Sequence, residues 1–284
     1  MLKNTYDESL VLPDFIIVGA MKSGTSLLSF HLNNHKEICI PYPTEISFFN
    51  KDDNYLKGMK WYSDKLRQRY SEKTRLVGEK TAIYSYLPFV PSRIHKELPN
   101  VKLVWIFRNP IDRTYSNYLN GIKRGIELSS FKTALKKEPK RLKKSPLAGY
   151  TERSRYDIQI KRYLEFFPRE QMHFIVLEEF INNPHKELDA LFQFLGVSQD
   201  AFTYKEEVIN KTLMPRFPFS LWVTRSIFGI DSKIWKLVQK VNLLGKKPGY
   251  RKLDADMRIY LGKIFKPNNE ELEKILGRKI EVWK

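Results

Sequence analysis

The chain has a single cysteine, Cys39. No intrachain disulfide can form, and no cysteine cluster can hold a metal, which fits a reducing compartment. Apolar runs of membrane-spanning length are missing as well; none approaches the roughly 20 residues a helix needs to cross a bilayer. The opening stretch, MLKNTYDESLVLPDF, carries acids and no apolar core, so no signal peptide is expected there. Internal repeats and domain-splitting linkers are absent. Acids are scarce beside bases, with 32 Asp and Glu against 50 Lys and Arg, a net charge of +18. That excess favours polyanionic partners: nucleotide phosphates, sulfated or carboxylated glycans, nucleic acid or anionic lipid. Together these features predict a soluble, cytoplasmic protein.

What is present suits one large α/β domain with a sizeable core: 284 residues, 42% apolar and 29% charged. Residues 1–12 read as a loose tail and 13–284 as a single domain. The organising stretch is PDFIIVGAMKSGTSLL, Pro13 to Leu28. Phe15-Ile16-Ile17-Val18 is a short β-branched run of the kind buried on both faces of a sheet. The chain turns at Gly19 to Ser26, and apolar spacing from Leu27 predicts a helix. A strand, a glycine-bearing turn and a helix N-terminus converge backbone N–H groups and a positive dipole end on one spot. Lys22 adds a full charge there, and Thr25 and Ser26 add hydroxyls. The nucleotide P-loop ends Gly-Lys-Ser/Thr. Here the lysine precedes the second glycine, in Lys22-Ser23-Gly24-Thr25.

Further along, Ile38-Cys39-Ile40 reads as a short strand closed by Pro41 and Pro43. His31 and His35 sit one helical turn apart, but no third ligand accompanies them, and packed or exposed histidines are the preferred reading. Glu45 stands alone among small and apolar neighbours. It is either an ordinary helix-start acid or a carboxylate fit to take a proton. Residues 51–75 show amphipathic helical spacing. Leu76 to Thr81 reads as a strand with polar residues at its tip, where α/β sites form, so Lys80 is a candidate site residue. Val101 to Phe107 is the clearest central strand. It ends on Arg108, and Asn109-Pro110 opens a helix. Arg108 and Ser116 are candidates to grip one phosphate, the first by a bidentate fork and the second by a hydroxyl.

The lysine-rich segment 129–149 reads first as a solvated face, with an acceptor-docking patch as the alternative. Tyr150 to Phe167 is expected to be helical, His173 to Leu177 a buried strand, and Pro184 to Leu195 a helix stopped by Gly196. Residues 213–244 interleave apolar and basic residues. Packing on the core as a lid or acceptor wall is preferred, and a membrane-surface contact is the alternative. Gly245 to Lys252 is a basic turn suited to an anion. The chain is expected to close with a helix near 254–265 and a separate segment from Pro267 to Leu276.

Seven ordered stretches resemble one family, the sulfotransferases that use 3′-phosphoadenosine 5′-phosphosulfate (PAPS), and within it the heparan sulfate type and its bacterial relatives. They are IIVGAMKSGTSLL, TEISFFN, GEKTAIY, IFRNPIDRTYSNY, RYDIQIKRYLEFFP, GKKPGYRKLD and IFKPNNEELEKILGRKIEVW. The resemblance runs from about Pro13 to Trp283. It implies a P-loop-like, three-layer fold with a central parallel sheet flanked by helices, and transfer of a sulfuryl group from PAPS to an acceptor hydroxyl without a metal. It further implies that Lys22, Ser23, Gly24, Thr25 and Ser26 hold the 5′-phosphosulfate, and that Lys22 offsets leaving-group charge. Glu45 would be the general base, and Lys80 would face the sulfuryl group. Arg108 and Ser116 would hold the 3′-phosphate. Tyr156 and the loop bearing Lys246, Lys247, Gly249, Tyr250 and Arg251 would close over the nucleotide. Thr44, Ser47 and Ala82 stand where the family has lysine, histidine and proline, departures that bear on the acceptor. That acceptor is expected to be a glycan, lipid-linked or small alcohol, with peripheral membrane contact allowed and no nucleic acid partner. The rival readings are a P-loop kinase and a non-enzymatic polyanion-binding module.

Overall fold

A computed structural model describes residues 10–41, 45–205, 214–244 and 252–283. In chain order the main elements begin with β1 (Phe15–Gly19), α1 (Thr25–Asn33), β2 (Ile38–Cys39), α2 (Asp52–Tyr55), α3 (Gly58–Leu66), β3 (Leu76–Lys80), α4 (Val90–Glu97) and β4 (Lys102–Phe107). They continue with α5 (Pro110–Lys123), α6 (Phe131–Leu142), α7 (Tyr156–Leu164), β5 (Met172–Val176), α8 (Leu177–Asn182) and α9 (Pro184–Leu195). The last three are α10 (Pro218–Phe228), α11 (Lys233–Leu243) and α12 (Ala255–Leu276). Contacts group the chain into two compact units. One comprises Met1–Asn109, Tyr156–Glu207 and Glu271–Lys284, and the other Pro110–Arg155 and Val208–Glu270.

The first unit holds a five-stranded sheet in the order β2-β3-β1-β4-β5, with every pairing parallel. The expected α/β class is met. β1 is buried along its whole length, and its period-two alternation feeds two cores. Ile16 and Val18 join the core built with α3, α4 and α7, while Phe15 and Ile17 join the core built with α1, α8 and α9. β4 splits the same way, Leu103, Trp105 and Phe107 to one side and Val104 and Ile106 to the other. Helices therefore cover both faces, which is why these strands read as unbroken apolar runs. Leu10, Val11 and Leu12, expected as tail, pack on the first of these cores. The Val11 N–H donates to Ser63 Oγ at 2.8 Å.

The second unit has its own core of Tyr115, Tyr118, Leu119, Phe131, Ala134, Tyr150, Leu261 and Phe265. Three expectations are corrected here. Tyr150 to Phe167 is not one helix; α7 starts only at Tyr156. The buried Glu138 carboxylate accepts from the N–H groups of Tyr150, Thr151 and Glu152, and these bonds hold the chain in a turn instead of a helical ladder. Pro267 does not break the last helix, since α12 runs through it. The proline is exposed, while Leu261 and Phe265 before it and Leu272 after it are buried, so packing on both sides outweighs one lost hydrogen bond. The segment 213–244 does form helices, but much of its apolar surface is exposed instead of packed on a core.

On these grounds Glu138→Ala should strand three backbone donors and lower stability by about 2–4 kcal/mol. Urea unfolding followed by circular dichroism measures this; a loss well under about 1 kcal/mol would mean water replaces the carboxylate at no cost.

Candidate active site

The site residues of the first unit gather where β3, β1 and β4 end. β1 is the central strand, with β3 on one edge and β4 on the other, so the chain departs to opposite sides from its two neighbours. Crevices at the carboxyl ends of strands at such a reversal are where α/β sheets bind ligands.

The loop from Ala20 to Gly24 leaves β1 and enters α1. Lys22 and Gly24 take left-handed backbone conformations, with φ of 72° and 95°. Such alternation turns successive N–H groups toward one concavity. Gly24 is needed for space as well: a Cβ there would lie 2.6 Å from Leu177 Cδ1. As the N-cap of α1 it offers no side-chain cap, leaving first-turn donors for an outside anion. Thr25 is buried in that turn, with Ser26 half-buried beside it. Lys22 is half-buried on the loop.

Ser23 is fully buried, and its Oγ lies 3.4 Å from the Tyr156 hydroxyl. That hydroxyl donates to the Arg108 carbonyl at 2.9 Å. Tyr156, a residue expected to touch nucleotide, is itself buried, its ring 4.8 Å from that of Phe107. What it does here is tie the loop after β1 to the end of β4. Arg108 follows β4 directly, so its guanidinium is carried one strand over from Lys22. The next residue is pinned too, as the Asn109 N–H donates to Glu178 Oε1 at 2.9 Å. The other oxygen of Glu178 accepts from Trp283 Nε1 at 2.9 Å.

On the opposite side, Lys80 ends β3 in register with Ile17 of β1. It is 4% exposed, and its Nζ lies 3.2 Å from Glu45 Oε1. The same oxygen accepts from the Ala82 N–H at 3.3 Å. Glu45 keeps 37% of its side chain exposed, so a ligand can reach the carboxylate. The structure therefore places Lys80 and Glu45 in contact. Ser116 is buried on α5, in the second unit. Lys246, Lys247, Gly249, Tyr250 and Arg251 lie outside the described residues. Of the histidine pair, His31 stacks on Tyr204 at 5.1 Å, and burial lowers its pKa to about 4. His35 Nε2 meets the Ser198 carbonyl at 2.8 Å. Among the described residues no cluster of three His, Cys, Asp or Glu side chains is placed to hold a metal ion.

Sequence reasoning passed over Glu79. It is fully buried, on the opposite face of β3 from Lys80, and accepts from three hydroxyls: Tyr62 at 2.5 Å, Thr81 at 2.7 Å and Tyr84 at 2.8 Å. Two of these hydroxyls accept in turn, Thr81 from the Ser47 N–H and Tyr84 from the Phe49 N–H, each at 3.2 Å. Glu79 thus fixes the segment that carries Glu45. The one visible signal was an acid beside Lys80 in a strand otherwise apolar. Burial pushes its pKa up to about 7; the Glu45 charge adds to the rise, and the three hydroxyls oppose it.

A parallel sheet with a glycine-bearing turn before its first helix, flanked by a lysine and an arginine at neighbouring strand ends, defines a P-loop-like α/β protein. The sulfotransferase domain family model matches residues 12–219, and the chain belongs to that family. Bifunctional heparan sulfate N-deacetylase/N-sulfotransferase 2 of Bos taurus is 29% identical over 94% of this chain. The chain spans only 30% of that relative's length. Heparan sulfate glucosamine 3-O-sulfotransferase 5 of Mus musculus is 27% identical over 94% of this chain and 73% of its own. Among solved structures, a sulfotransferase from Alicyclobacillus acidocaldarius is 26% identical with a TM-score of 0.69, covering 96% of this chain and 99% of its own.

Glu79 gives the site a pH signature. Its folded pKa, about 7, lies above the ordinary 4.5, so the folded state binds the extra proton between those values. The associated stability is fully present below pH 4.5 and is lost as pH rises through about 7. A shift of that size corresponds to roughly 3 kcal/mol. Glu79→Gln should flatten that part of the stability–pH curve, read as the difference from wild type in urea unfolding across the window. Parallel curves would show that the carboxylate stays charged in the fold.

Proposed function

We propose that this sulfotransferase takes its sulfuryl group from PAPS and passes it to an acceptor hydroxyl, releasing adenosine 3′,5′-bisphosphate. The observation that carries the reading is the loop of Lys22 and Gly24 set between the Lys80–Glu45 pair at one strand end and Arg108 at another. A donor with phosphates at both ends of an adenosine needs two separated cationic points. Lys22 with the α1 amides would take the 5′ end, and Arg108 the 3′-phosphate. Tyr156 serves by holding the loop in place, through Ser23 and the Arg108 carbonyl.

In this reading the acceptor oxygen attacks sulfur in line as the sulfur–oxygen bond to the 5′-phosphate breaks. Positioning and charge neutralisation do most of the work, as in phosphoryl transfer. Glu45 takes the hydroxyl proton, its carboxylate reachable and oriented by the Ala82 N–H. Lys80, buried beside it, faces the transferring group. Lys22 offsets charge on the leaving phosphate oxygen. The net charge of +18 suits an anionic or lipid-linked acceptor, and two relatives are named for heparan sulfate, a polyanionic glycan.

Thermal-shift titration tests the donor assignment. Adenosine 3′,5′-bisphosphate should stabilise the wild type, and ATP far less. Lys22→Ala and Arg108→Ala should each weaken the bisphosphate by at least about tenfold, the loss of one charge-assisted contact. Equal responses to the two nucleotides would favour a kinase, and salt-sensitive binding of any polyanion would favour a simple binding module.

Glu45→Gln should leave bisphosphate affinity intact and lower turnover by about a hundred- to ten-thousandfold, measured by transfer of radiolabelled sulfate to a panel of glycan, lipid-linked and small alcohol acceptors. Wild-type turnover in that variant would move the base elsewhere.

A further inference from the structure

Helices α10 and α11 of the second unit form a hairpin with an unusual surface. Its base is stapled by Asn242, which is buried, accepts from the Phe217 N–H at 2.8 Å and donates to Ser220 Oγ at 3.1 Å. Leu221 and Trp235 are buried within the unit. Gln239 anchors α11 by donating to the Lys123 carbonyl at 3.3 Å. The hairpin is therefore held from its inner side.

Its outer side is apolar. Of the 20 large apolar side chains exposed among the described residues, nine fall between Phe217 and Leu244. On α10, Phe219 and Trp222 lie one turn apart with their rings stacked at 5.8 Å. On α11, Ile234, Leu237 and Val241 recur at helical spacing, and Leu237 is 62% exposed. Exposed apolar surface concentrated like this marks an interaction face. Lys233, Lys236 and Lys240 are exposed along one flank of that stripe. From Met214 to Leu244 there are five Lys and Arg and one acid, Asp231. A second copy of the same face would bring like charges together. A polar glycan would leave the apolar stripes in water. A bilayer surface with anionic headgroups satisfies both halves: apolar side chains sink to the acyl boundary while lysines reach up to phosphates.

We propose that the α10–α11 hairpin docks on an anionic lipid surface through Phe219, Trp222, Leu237 and Val241, with Lys233, Lys236 and Lys240 on the lipid phosphates. The proposal does not depend on the donor assignment, since it concerns a surface of the second unit alone.

Flotation of the full chain with vesicles tests it, using phosphatidylcholine alone and phosphatidylcholine with about one-third phosphatidylglycerol, at about physiological salt. The wild type should float with the anionic vesicles and not with the neutral ones. The double variant Trp222→Ser/Leu237→Ser should lose at least about tenfold in vesicle affinity, and so should Lys236→Glu/Lys240→Glu. A control, Lys132→Ala/Lys136→Ala on α6, should stay within about twofold, because those lysines border no such stripe. Thermal unfolding and bisphosphate binding should match wild type in all three, since every changed side chain is exposed. Anionic-vesicle binding that survives Trp222→Ser/Leu237→Ser would reduce the effect to bulk charge and overturn the proposal. So would a wild type that floats with neither vesicle, or a wild-type dimer in sedimentation velocity that the same double variant dissolves.

Discussion

β1 has no solvent on either face and a hydrogen-bonded strand on each edge. Nothing about its position can relax without opening two cores at once. The loop that leaves it inherits that fixity, and a second anchor, the Tyr156 hydroxyl, joins the loop to the end of β4. The left-handed turns at Lys22 and Gly24 are sustained because both ends of the loop are immobile. Electrostatic preorganisation rests on dipoles and charges that do not reorganise when a ligand's charge arrives or shifts. A doubly buried strand is an economical way to obtain them.

The two flanks of β1 differ in how they are held. On the β4 side, main-chain groups do much of the positioning: the Arg108 carbonyl and the Asn109 N–H are both engaged, which sets the backbone from which the guanidinium projects. On the β3 side, a buried lysine meets a partly exposed carboxylate that comes from a different stretch of chain. That carboxylate depends for its place on a third layer, the hydroxyls around Glu79.

Strands β1 and β4, the turn between β1 and α1, and the start of α5 at Pro110 were legible because local pattern and tertiary role agree there. Unbroken β-branched runs are buried on both faces, and glycine sits where the backbone turns left-handed. The ordered motifs carried Lys22, Glu45, Lys80 and Arg108 as well, and the structure places the first three around one strand's end and its neighbour, with Arg108 one strand over. What failed was set by partners distant in sequence. Glu138 reaches forward twelve residues to hold a turn where spacing predicts helix. Pro267 is tolerated because buried residues flank it. Glu79 has no meaning until Tyr62 and Tyr84 surround it. The apolar spacing in 213–244 named the helices correctly and their environment only in part: Leu221 and Trp235 are buried, while nine large apolar side chains stay exposed, since periodicity says which face is apolar and nothing of what lies against it.

Around Glu79, three hydroxyls donate hydrogen bonds to one carboxylate, and two of them accept from the main-chain N–H groups of Ser47 and Phe49. Replacing any one member leaves the others with stranded valences in a dry interior, so the costs of single changes cannot sum to the cost of changing them all. Glu79, Tyr62, Thr81 and Tyr84 therefore form one coupled unit, in which the cost of any substitution depends on which of the other three are still in place.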